Sequence, residues 1–228
     1  MSVIRVVSHD STAFEDRIEA GRLLGRELHA LRGQDTVVLG IPRGGMIVAN
    51  EVARELGAEL DVVLVRKLGA PMNPELAIGA IAEDGQVFLD DSLVSRLRVP
   101  GSYVQREKER ELAQINRRRE RYRPVRPKVP LTGRIVIITD DGLATGATMR
   151  AALRATRAER PSRLIAAVPV GAEQSIRAVA LEADEVVCLR MPPFFGAVGE
   201  FYLQFGQTDD EEVLAILRQE SQRAASGE

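Results

Sequence analysis

Two adjacent carboxylates stand in the middle of the chain, between an apolar run and a loop of small residues. The loop consists of Gly142, Leu143, Ala144, Thr145, Gly146, Ala147 and Thr148. Asp140 and Asp141 can accept hydrogen bonds from two vicinal hydroxyl groups, whereas in an empty site their charges would repel each other. Thr145 and Thr148 add hydroxyl donors, and a loop that opens a helix directs backbone N–H groups at a phosphate. The pattern therefore predicts a site for a sugar phosphate.

A glycine turn and a basic pair are two further places where an anionic group could bind. Arg43 is followed by Gly44 and Gly45, which can present backbone N–H groups beside a guanidinium. Arg66 and Lys67 follow another apolar run. Glycine turns and charged strand ends are also common without any function, so the sequence leaves both interpretations open for each segment.

Apolar spacing predicts the elements that would position these residues. Short runs that are apolar throughout are typical of strands covered on both faces. Such runs occur at 36–41, 60–65, 134–139, 163–168 and 185–189. Helical spacing predicts helices over 11–31, 46–56, 148–160, 173–183 and 209–223. Ser11 or Thr12 is expected to cap the first helix.

The alternation of these strands and helices predicts an α/β fold with a parallel sheet and helices on both faces. Strands 36–41 and 134–139 would then be neighbours at the switch point of the sheet, where open α/β folds bind ligands. The loops that follow them, together with the Arg66-Lys67 pair, would converge on one crevice.

Composition limits the class of protein. The chain has 228 residues and 45% hydrophobic content, so it can bury a sizeable core, and we expect a single domain over 1–228. Its net charge of -2 provides no global field for nucleic acid. The single cysteine, Cys188, lies in an apolar run and is predicted to be buried rather than catalytic. No stretch is long and apolar enough for a signal peptide or membrane span, which predicts a cytoplasmic protein.

One segment, 102–128, differs from the rest because it carries ten Lys or Arg residues against four Glu. Its apolar residues Val104, Leu112 and Ile115 look too sparse for a core helix. Three interpretations stay open: a solvated helix or oligomer contact, a mobile basic lid over an anionic substrate, and a nucleic-acid contact.

The stretch 135–148 resembles the 5-phosphoribosyl-1-pyrophosphate (PRPP) signature of type I phosphoribosyltransferases: branched apolar residues, two acids, then Thr-Gly-x-Thr. The resemblance covers about residues 12–206. It implies a type I core over about 33–190, with 102–128 as a helical basic insertion. It also implies a small C-terminal hood over about 191–208, to which we assign the N-terminal helix 11–32, followed by a C-terminal helix over 209–225.

The resemblance also implies roles for the site residues. Asp140 and Asp141 would hold the ribose hydroxyls, and the segment from Ala144 to Thr148 would cradle the 5-phosphate. The turn of Arg43, Gly44 and Gly45 resembles the loop that contacts pyrophosphate, and Arg66 with Lys67 resembles the basic pair of adenine and orotate enzymes. The implied reaction displaces pyrophosphate from C1 of the ribose. Arg43 and the basic pair would assist its departure, and Asp140 with Asp141 would stabilise the developing cation. Mg2+ would be carried mainly by the pyrophosphate, and a mobile cover from 69–130 would exclude water.

The acceptor is less clear from the sequence. The implied hood segment 191–205 holds five of the nine Phe and Tyr residues and resembles the base-stacking segment of hypoxanthine-guanine enzymes, with spacing shifted by about one residue. Phe195 is the candidate to stack on a base, with Val198 as a second contact. However, Ala144 occupies the position of the acid of purine-specific members, and Pro169 the position of the lysine of oxopurine enzymes. A pyrimidine, another nitrogen or oxygen nucleophile, or no acceptor at all remains open.

Two rival functions follow from the same residues. A regulatory protein could keep the PRPP pocket as a sensor and use 102–128 to meet nucleic acid. A metal-dependent phosphatase or hydrolase could use Asp140 and Asp141, but the sequence lacks the additional acids and histidines that such sites usually contain. His9 and His29 are predicted to be surface or helix residues. A homo-oligomer is compatible with the sequence.

Overall fold

The computed structural model describes residues 2–226 of the chain. Strands and helices alternate along most of this length, but between Glu59 and Tyr122 four strands are followed by two helices. The strands are β1 (Val3–Ser8), β2 (Thr36–Gly40), β3 (Glu59–Val62), β4 (Val65–Ala70), β5 (Asn73–Ala82), β6 (Val87–Leu89), β7 (Ile135–Thr139), β8 (Arg163–Val170) and β9 (Glu185–Arg190). The α-helices are α1 (Arg17–Glu27), α2 (Gly45–Leu56), α3 (Asp91–Arg96), α4 (Gly101–Tyr122), α5 (Ala147–Ala158), α6 (Glu173–Ala180) and α7 (Asp210–Ser226). Single 3-10 turns lie at His29–Leu31 and Val198–Phe201.

The main sheet has six strands in the order β1-β9-β8-β7-β2-β3, and all of its pairings are parallel. Strand β2 lies directly beside β7, with Gly40 opposite Thr139 at their carboxyl ends. The α/β class with a parallel sheet is confirmed. The predicted neighbours are also confirmed, so the loops after β2 and β7 emerge side by side.

Both faces of the main sheet are covered because alternate residues of its strands point to opposite sides. Ile137 of β7 packs in a cluster with apolar residues of α1 and α2. Its neighbours Val136 and Ile138 pack in a second cluster, with α5 and α6. Apolar runs of this kind therefore form central strands, and the predicted helices on both faces are confirmed.

Two predicted boundaries are wrong. The run 60–65 is not one strand, because the chain leaves the parallel sheet after Val62 and Val65 starts a strand of another sheet. The first helix begins at Arg17 rather than at residue 11. Its cap is Asp16, whose carboxylate accepts the N–H of Glu19 at 2.8 Å, not Ser11 or Thr12. The apolar spacing continues into the residues before Arg17, whose backbone pairs with a distant segment instead of forming a helix.

The residues before α1 are extended because they pair with the segment near the C-terminus that we expected to be a hood. The N–H of Phe14 donates to the carbonyl of Phe201 at 2.8 Å, and the N–H of Leu203 donates to the carbonyl of Phe14 at 2.8 Å. Helix α1 itself, which we grouped with the hood, instead packs against α2 and over β8 and β9. The 191–208 region therefore contacts the segment leading into α1 and also Arg17, the first residue of the helix.

A second, antiparallel sheet of β4, β5 and β6 was not predicted, nor was the edge strand β1. This small sheet packs against α4 and α5. Asn73-Pro74-Glu75 opens β5, and Glu83-Asp84-Gly85 forms the turn to β6, where Gly85 has a φ of +82°. The part of the predicted cover before α4 is therefore built largely as a small sheet beside the core, and its movement stays a prediction.

Helix α4 corrects the expectation that the basic segment is too polar to pack. Its buried residues are Glu107, Glu111, Ile115 and Tyr122, and Tyr122 is completely buried. The Tyr122 hydroxyl donates to Asp210 of α7 at 2.7 Å. Beyond the helix, Arg123 donates to both Asp61 and Glu83, which joins this segment to β3 and to the small sheet. Charge pairing and one large ring replace the apolar stripe that the sequence lacks.

Candidate functional site

The loop after β7 ends in a glycine that the backbone requires. Gly146 has a φ of +70° and is the N-cap of α5, where it provides no side chain to bind the first-turn N–H groups. Thr145 is exposed and Thr148 is half-buried at the same helix start. This end of α5 therefore has the backbone donors and the hydroxyls that a phosphate needs.

The acid pair has one cationic partner. The Nε atom of Arg17 donates to Asp141 Oδ2 at 2.8 Å, although the two residues are 124 positions apart. The Arg17 side chain is only 9% exposed, so this is a largely buried ion pair. Arg17 also donates to the carbonyl of Gly206 at 2.9 Å, and its guanidinium carbon lies 3.9 Å from the centroid of the Phe205 ring. The pair is thus tied to the C-terminal segment.

Among the described residues Asp140 has no such cationic partner, and the neighbouring Asp141 affects its pKa. Its Oδ1 accepts the backbone N–H of Asp141 at 2.9 Å. Burial, and then the charge of Asp141, raise the pKa of Asp140 well above its ordinary value, and the more distant Arg17 opposes this shift only in part. One guanidinium therefore faces two carboxylates, which leaves the pair short of positive charge and of hydrogen-bond donors.

The glycine turn after β2 lies directly against these carboxylates. A Cβ atom on Gly44 would collide with Asp141 Oδ2, and one on Gly45 would come within 2.9 Å of Asp140 Oδ1. Only glycine fits at this distance, so the turn and the acid pair form one surface. The Pro42-Arg43 peptide bond is cis. Within residues 2–226, the Arg43 side chain makes no hydrogen bond or ion pair with the protein.

The basic pair on β4 lines a cavity of about 350 Å³ that reaches the turn and the helix start. Its walls include Pro42, Arg66, Lys67 and Thr148, and residues of helix α4 complete the lining. The structure therefore brings together the signature loop, the glycine turn and the basic pair, as the sequence predicted. Their roles in binding stay predictions.

The two candidate base contacts lie in different surroundings. Val198 packs against the signature loop, since a Cβ on Gly142 would come within 2.7 Å of Val198 Cγ1. Phe195 is half-buried and stacks on Phe201 with ring centroids 5.2 Å apart. Ala144 is exposed at the edge of the loop. Contact of Val198 or Phe195 with a base stays a prediction.

Sequence reasoning missed Arg17 and the buried acids of α4. Arg17 lies in the first turn of an amphipathic helix, and nothing near it in sequence indicates that it reaches Asp141. The only sequence signal on α4 was the presence of Glu107 and Glu111 in a basic segment, which also fits an exposed helix. Both sets of contacts become visible only in the folded structure.

The remaining features considered in the sequence are Cys188, the two histidines, a metal site and a membrane span. Cys188 is buried, and burial raises the pKa of its thiol to about 12, as expected for a small core residue. His9 and His29 are exposed, as predicted. Within the described residues there is no cluster of three or more His, Cys, Asp or Glu side chains that could hold a metal ion. None of the described helices has the length and apolar character needed to cross a bilayer.

Comparison with known proteins supports one family. A family model of the phosphoribosyl transferase domain matches residues 10–205. Two curated proteins from strains of Mycobacterium tuberculosis, each named "Putative phosphoribosyl transferase", are 48% identical over 204 residues, which is 90% of this chain and 46% of theirs. The chain therefore spans about half the length of the curated relatives it matches.

A similar solved structure is the crystal structure of TT1426 from Thermus thermophilus. It shares 49% sequence identity with this chain and superposes with a TM-score of 0.85. The match covers 91% of this chain and 99% of the other.

Proposed function

Because the chain belongs to the phosphoribosyl transferase domain family, we propose that it binds PRPP and transfers the phosphoribosyl group to a small-molecule acceptor. One observation carries this proposal. Two adjacent carboxylates with a single arginine partner lie between a glycine turn and the uncapped start of a helix. A ligand with two hydroxyls between two phosphate groups complements that arrangement.

The ligand would lie along three of the described surfaces. Its 5-phosphate would bind the residues from Ala144 to Thr148 at the start of α5. Its ribose hydroxyls would donate to Asp140 and Asp141, and its pyrophosphate would lie beside Arg43, Gly44 and Gly45. Arg66 and Lys67, which line the same cavity as Thr148, would supply further positive charge.

In the proposed reaction the bond between C1 and the pyrophosphate oxygen breaks, and a nitrogen or oxygen of the acceptor forms the new bond to C1. The bonding electron pair leaves with pyrophosphate, and the proton that the acceptor loses passes to the departing pyrophosphate, directly or through water. Positive charge develops on the ribose, and the carboxylates of Asp140 and Asp141 stabilise it. Arg43, Arg66 and Lys67 stabilise the negative charge on the departing pyrophosphate.

Magnesium fits this site as an ion that arrives with its ligand. The described residues offer two adjacent carboxylates but no cluster of three metal ligands. Mg2+ commonly binds one or two carboxylates together with substrate phosphates and water. When bound, it would neutralise charge on the leaving pyrophosphate.

The acceptor site would lie beside Val198, which packs on the signature loop. Ala144 has no ionisable group and cannot exchange a proton with the ligand. A general acid or base at such a position commonly contributes about a hundred- to ten-thousand-fold in rate. Pro169 is buried and likewise carries no ionisable group. Transfer to hypoxanthine or guanine should therefore be undetectable beside transfer to the true acceptor.

Calorimetric titration with PRPP and Mg2+, followed by a pyrophosphate-release assay over a panel of bases, tests the proposal. We expect binding by the unmodified protein and loss of binding in Asp140→Asn. Glu173→Gln is the matched control, because Glu173 is an exposed carboxylate paired with Arg177 on α6. Absence of PRPP binding by the unmodified protein would refute the proposal, and efficient oxopurine transfer would refute the assignment of Ala144.

The alternative is a protein that binds PRPP without turnover and acts as a sensor. It uses the same pocket, so PRPP binding alone does not separate it from an enzyme. Binding without pyrophosphate release for any acceptor in the panel would favour the sensor. Steeply salt-dependent binding to nucleic acid would favour its regulatory form. Arg121, one of the basic residues of α4, is already paired with Asp210 and Glu211 of α7.

A further inference from the structure

Helix α4 buries two carboxylates one turn apart. Glu107 is 6% exposed and Glu111 is 3% exposed, although both lie in the most basic segment of the chain. A carboxylate is removed from water at a large free-energy cost unless cations and hydrogen-bond donors replace the lost hydration. The hydrogen-bond partners of these two acids therefore indicate the function of this face of the helix.

The first partner is Arg110, which lies on the same helix. Its Nη2 donates to Glu107 Oε1 at 2.5 Å and to Glu111 Oε1 at 2.9 Å, and its Nε also donates to Glu111 Oε1 at 3.1 Å. Arg110 thus donates to one oxygen of Glu107 and one oxygen of Glu111. The second oxygen of Glu111 points away from this local pair and needs another donor.

That donor is Arg66 of β4, 45 residues earlier in the chain. Its Nε donates to Glu111 Oε2 at 2.6 Å. The Arg66 side chain is 38% exposed and lines the cavity that also includes Pro42 and Thr148. Glu111 therefore connects the basic helix to the cation pair that lines this cavity.

The geometry of this bond leaves the binding end of Arg66 available. An arginine binds phosphate in a bidentate manner through its terminal nitrogens, and here only Nε is engaged. Across residues 2–226, the two Nη atoms of Arg66 have no hydrogen-bond partner in the protein. A carboxylate that competed with the ligand for Arg66 would be expected to occupy those terminal atoms.

We propose that Glu111 is a positioning residue that holds Arg66 with its terminal nitrogens directed at the pyrophosphate of PRPP. The inference rests on the proposed function. A long exposed side chain loses rotamer freedom when it binds a ligand, and a buried anchor at Nε removes part of that cost in advance. Helix α4 is then a wall of the substrate site rather than a solvated insertion.

Positioning and simple electrostatics predict opposite changes in ligand affinity when the Glu111 carboxylate is removed. If only charge mattered, removing the Glu111 carboxylate would make the cavity more positive and tighten the binding of an anion. If Glu111 competed with the ligand, its removal would also tighten binding. Positioning alone predicts weaker binding, and only for ligands that carry the pyrophosphate group.

The test compares Glu111→Gln with the unmodified protein for three probes: PRPP with Mg2+, inorganic pyrophosphate with Mg2+, and ribose 5-phosphate. We expect about tenfold weaker binding of PRPP and pyrophosphate, the size of a lost charged hydrogen bond. Ribose 5-phosphate binding should not change. Glu109→Gln is the matched control, because Glu109 is exposed on the same helix and accepts only from Gln105 in the described structure.

A double-mutant cycle tests whether Glu111 acts through Arg66. Adding Glu111→Gln to Arg66→Ala should cause no further loss of pyrophosphate affinity. Independent, additive losses would overturn the proposal, as would tighter pyrophosphate binding or an equal loss for ribose 5-phosphate. If Glu111→Gln does not fold, Arg66→Lys serves instead: it keeps the charge but lacks the guanidinium, and unchanged pyrophosphate affinity would overturn the proposal.

The outcomes separate this inference from the proposed function. Failure of the unmodified protein to bind PRPP or pyrophosphate refutes both. Normal PRPP binding by the unmodified protein together with normal pyrophosphate binding by Glu111→Gln refutes only the role of Glu111.

Discussion

Two of the carboxylate pairs among the described residues, Asp140 with Asp141 and Glu107 with Glu111, differ in how completely arginines compensate their charge. In the described structure Arg17 pairs with Asp141, and Asp140 has no ion pair of its own. Glu107 and Glu111 have two, from Arg110 and Arg66, and both of these acids are buried. We call the first pair incomplete because one arginine contacts only one of its two acids, and the second pair complete because two arginines contact both of its acids.

This difference separates a binding surface from its support. Asp140 has a raised pKa because burial and a like charge are not balanced by a nearby cation. Such a site costs stability in the free protein and gains donors when a ligand with hydroxyl groups arrives. For Glu107 and Glu111 no ligand is needed, because the protein supplies the donors. Four variants in and around the incomplete pair test this distinction.

The largest effect is expected from Arg17→Met, which removes the one cation that pairs with these acids among the described residues. It leaves Asp141 and its neighbour without compensation in a largely buried position, so unfolding free energy should fall by about 3 kcal/mol. Urea denaturation measures this loss. Arg177→Met on α6 is the control: its ion pair with Glu173 is exposed, so we expect a loss of at most about 0.5 kcal/mol. Similar losses in both variants would contradict the comparison.

A smaller effect, with opposite signs for two neighbours, is expected from the acids themselves. Asp141→Asn leaves the buried Arg17 charge without its partner and should lower the unfolding free energy by about 2 kcal/mol. Asp140→Asn removes a carboxyl whose pKa is raised by folding, so stability should hold or rise. Both variants should lose ribose-dependent binding, because neither then has two carboxylate acceptors.

The pH dependence of the unfolding free energy tests the raised pKa of Asp140. Since its pKa is higher in the folded protein than in the unfolded chain, ionisation works against folding as pH rises from the unfolded value through the folded one. The advantage of Asp140→Asn should therefore be greatest above the folded pKa and disappear in acid, where the carboxyl is protonated in both states. A constant difference from pH 3 to pH 8 in urea denaturation would count against the raised pKa.

The smallest effect is expected from the uncharged side of the same loop. Replacing Thr145 and Thr148 together by Val removes two hydroxyl donors at the start of α5. Binding of ribose 5-phosphate should weaken by about 1–2 kcal/mol in total, while the unfolding free energy changes little. Thr132→Val, in the loop before β7, is the control. Calorimetry that finds equal affinity in the double variant and the control would place the phosphate elsewhere.

Much of the main sheet and of the central loop was predictable because local signals determine them. The β7 run is apolar without interruption because both of its faces are covered, and the run, the acids and the Thr-Gly-x-Thr loop are contiguous in the chain. The prediction failed where a segment pairs with a distant one. Residues before Arg17 show helical spacing yet pair with the chain near Phe201, and the run 60–65 divides between two sheets.

The sequence by itself determined the α/β class, the neighbouring positions of β2 and β7, and the composition of the acid and glycine loops. Tertiary structure alone decided which charges compensate one another. Arg17 reaches Asp141 across 124 positions and Arg66 reaches Glu111 across 45. The physical reason is range: hydrophobic periodicity and turn chemistry act over a few residues, whereas an ion pair depends on the distance between atoms in space and on their removal from water.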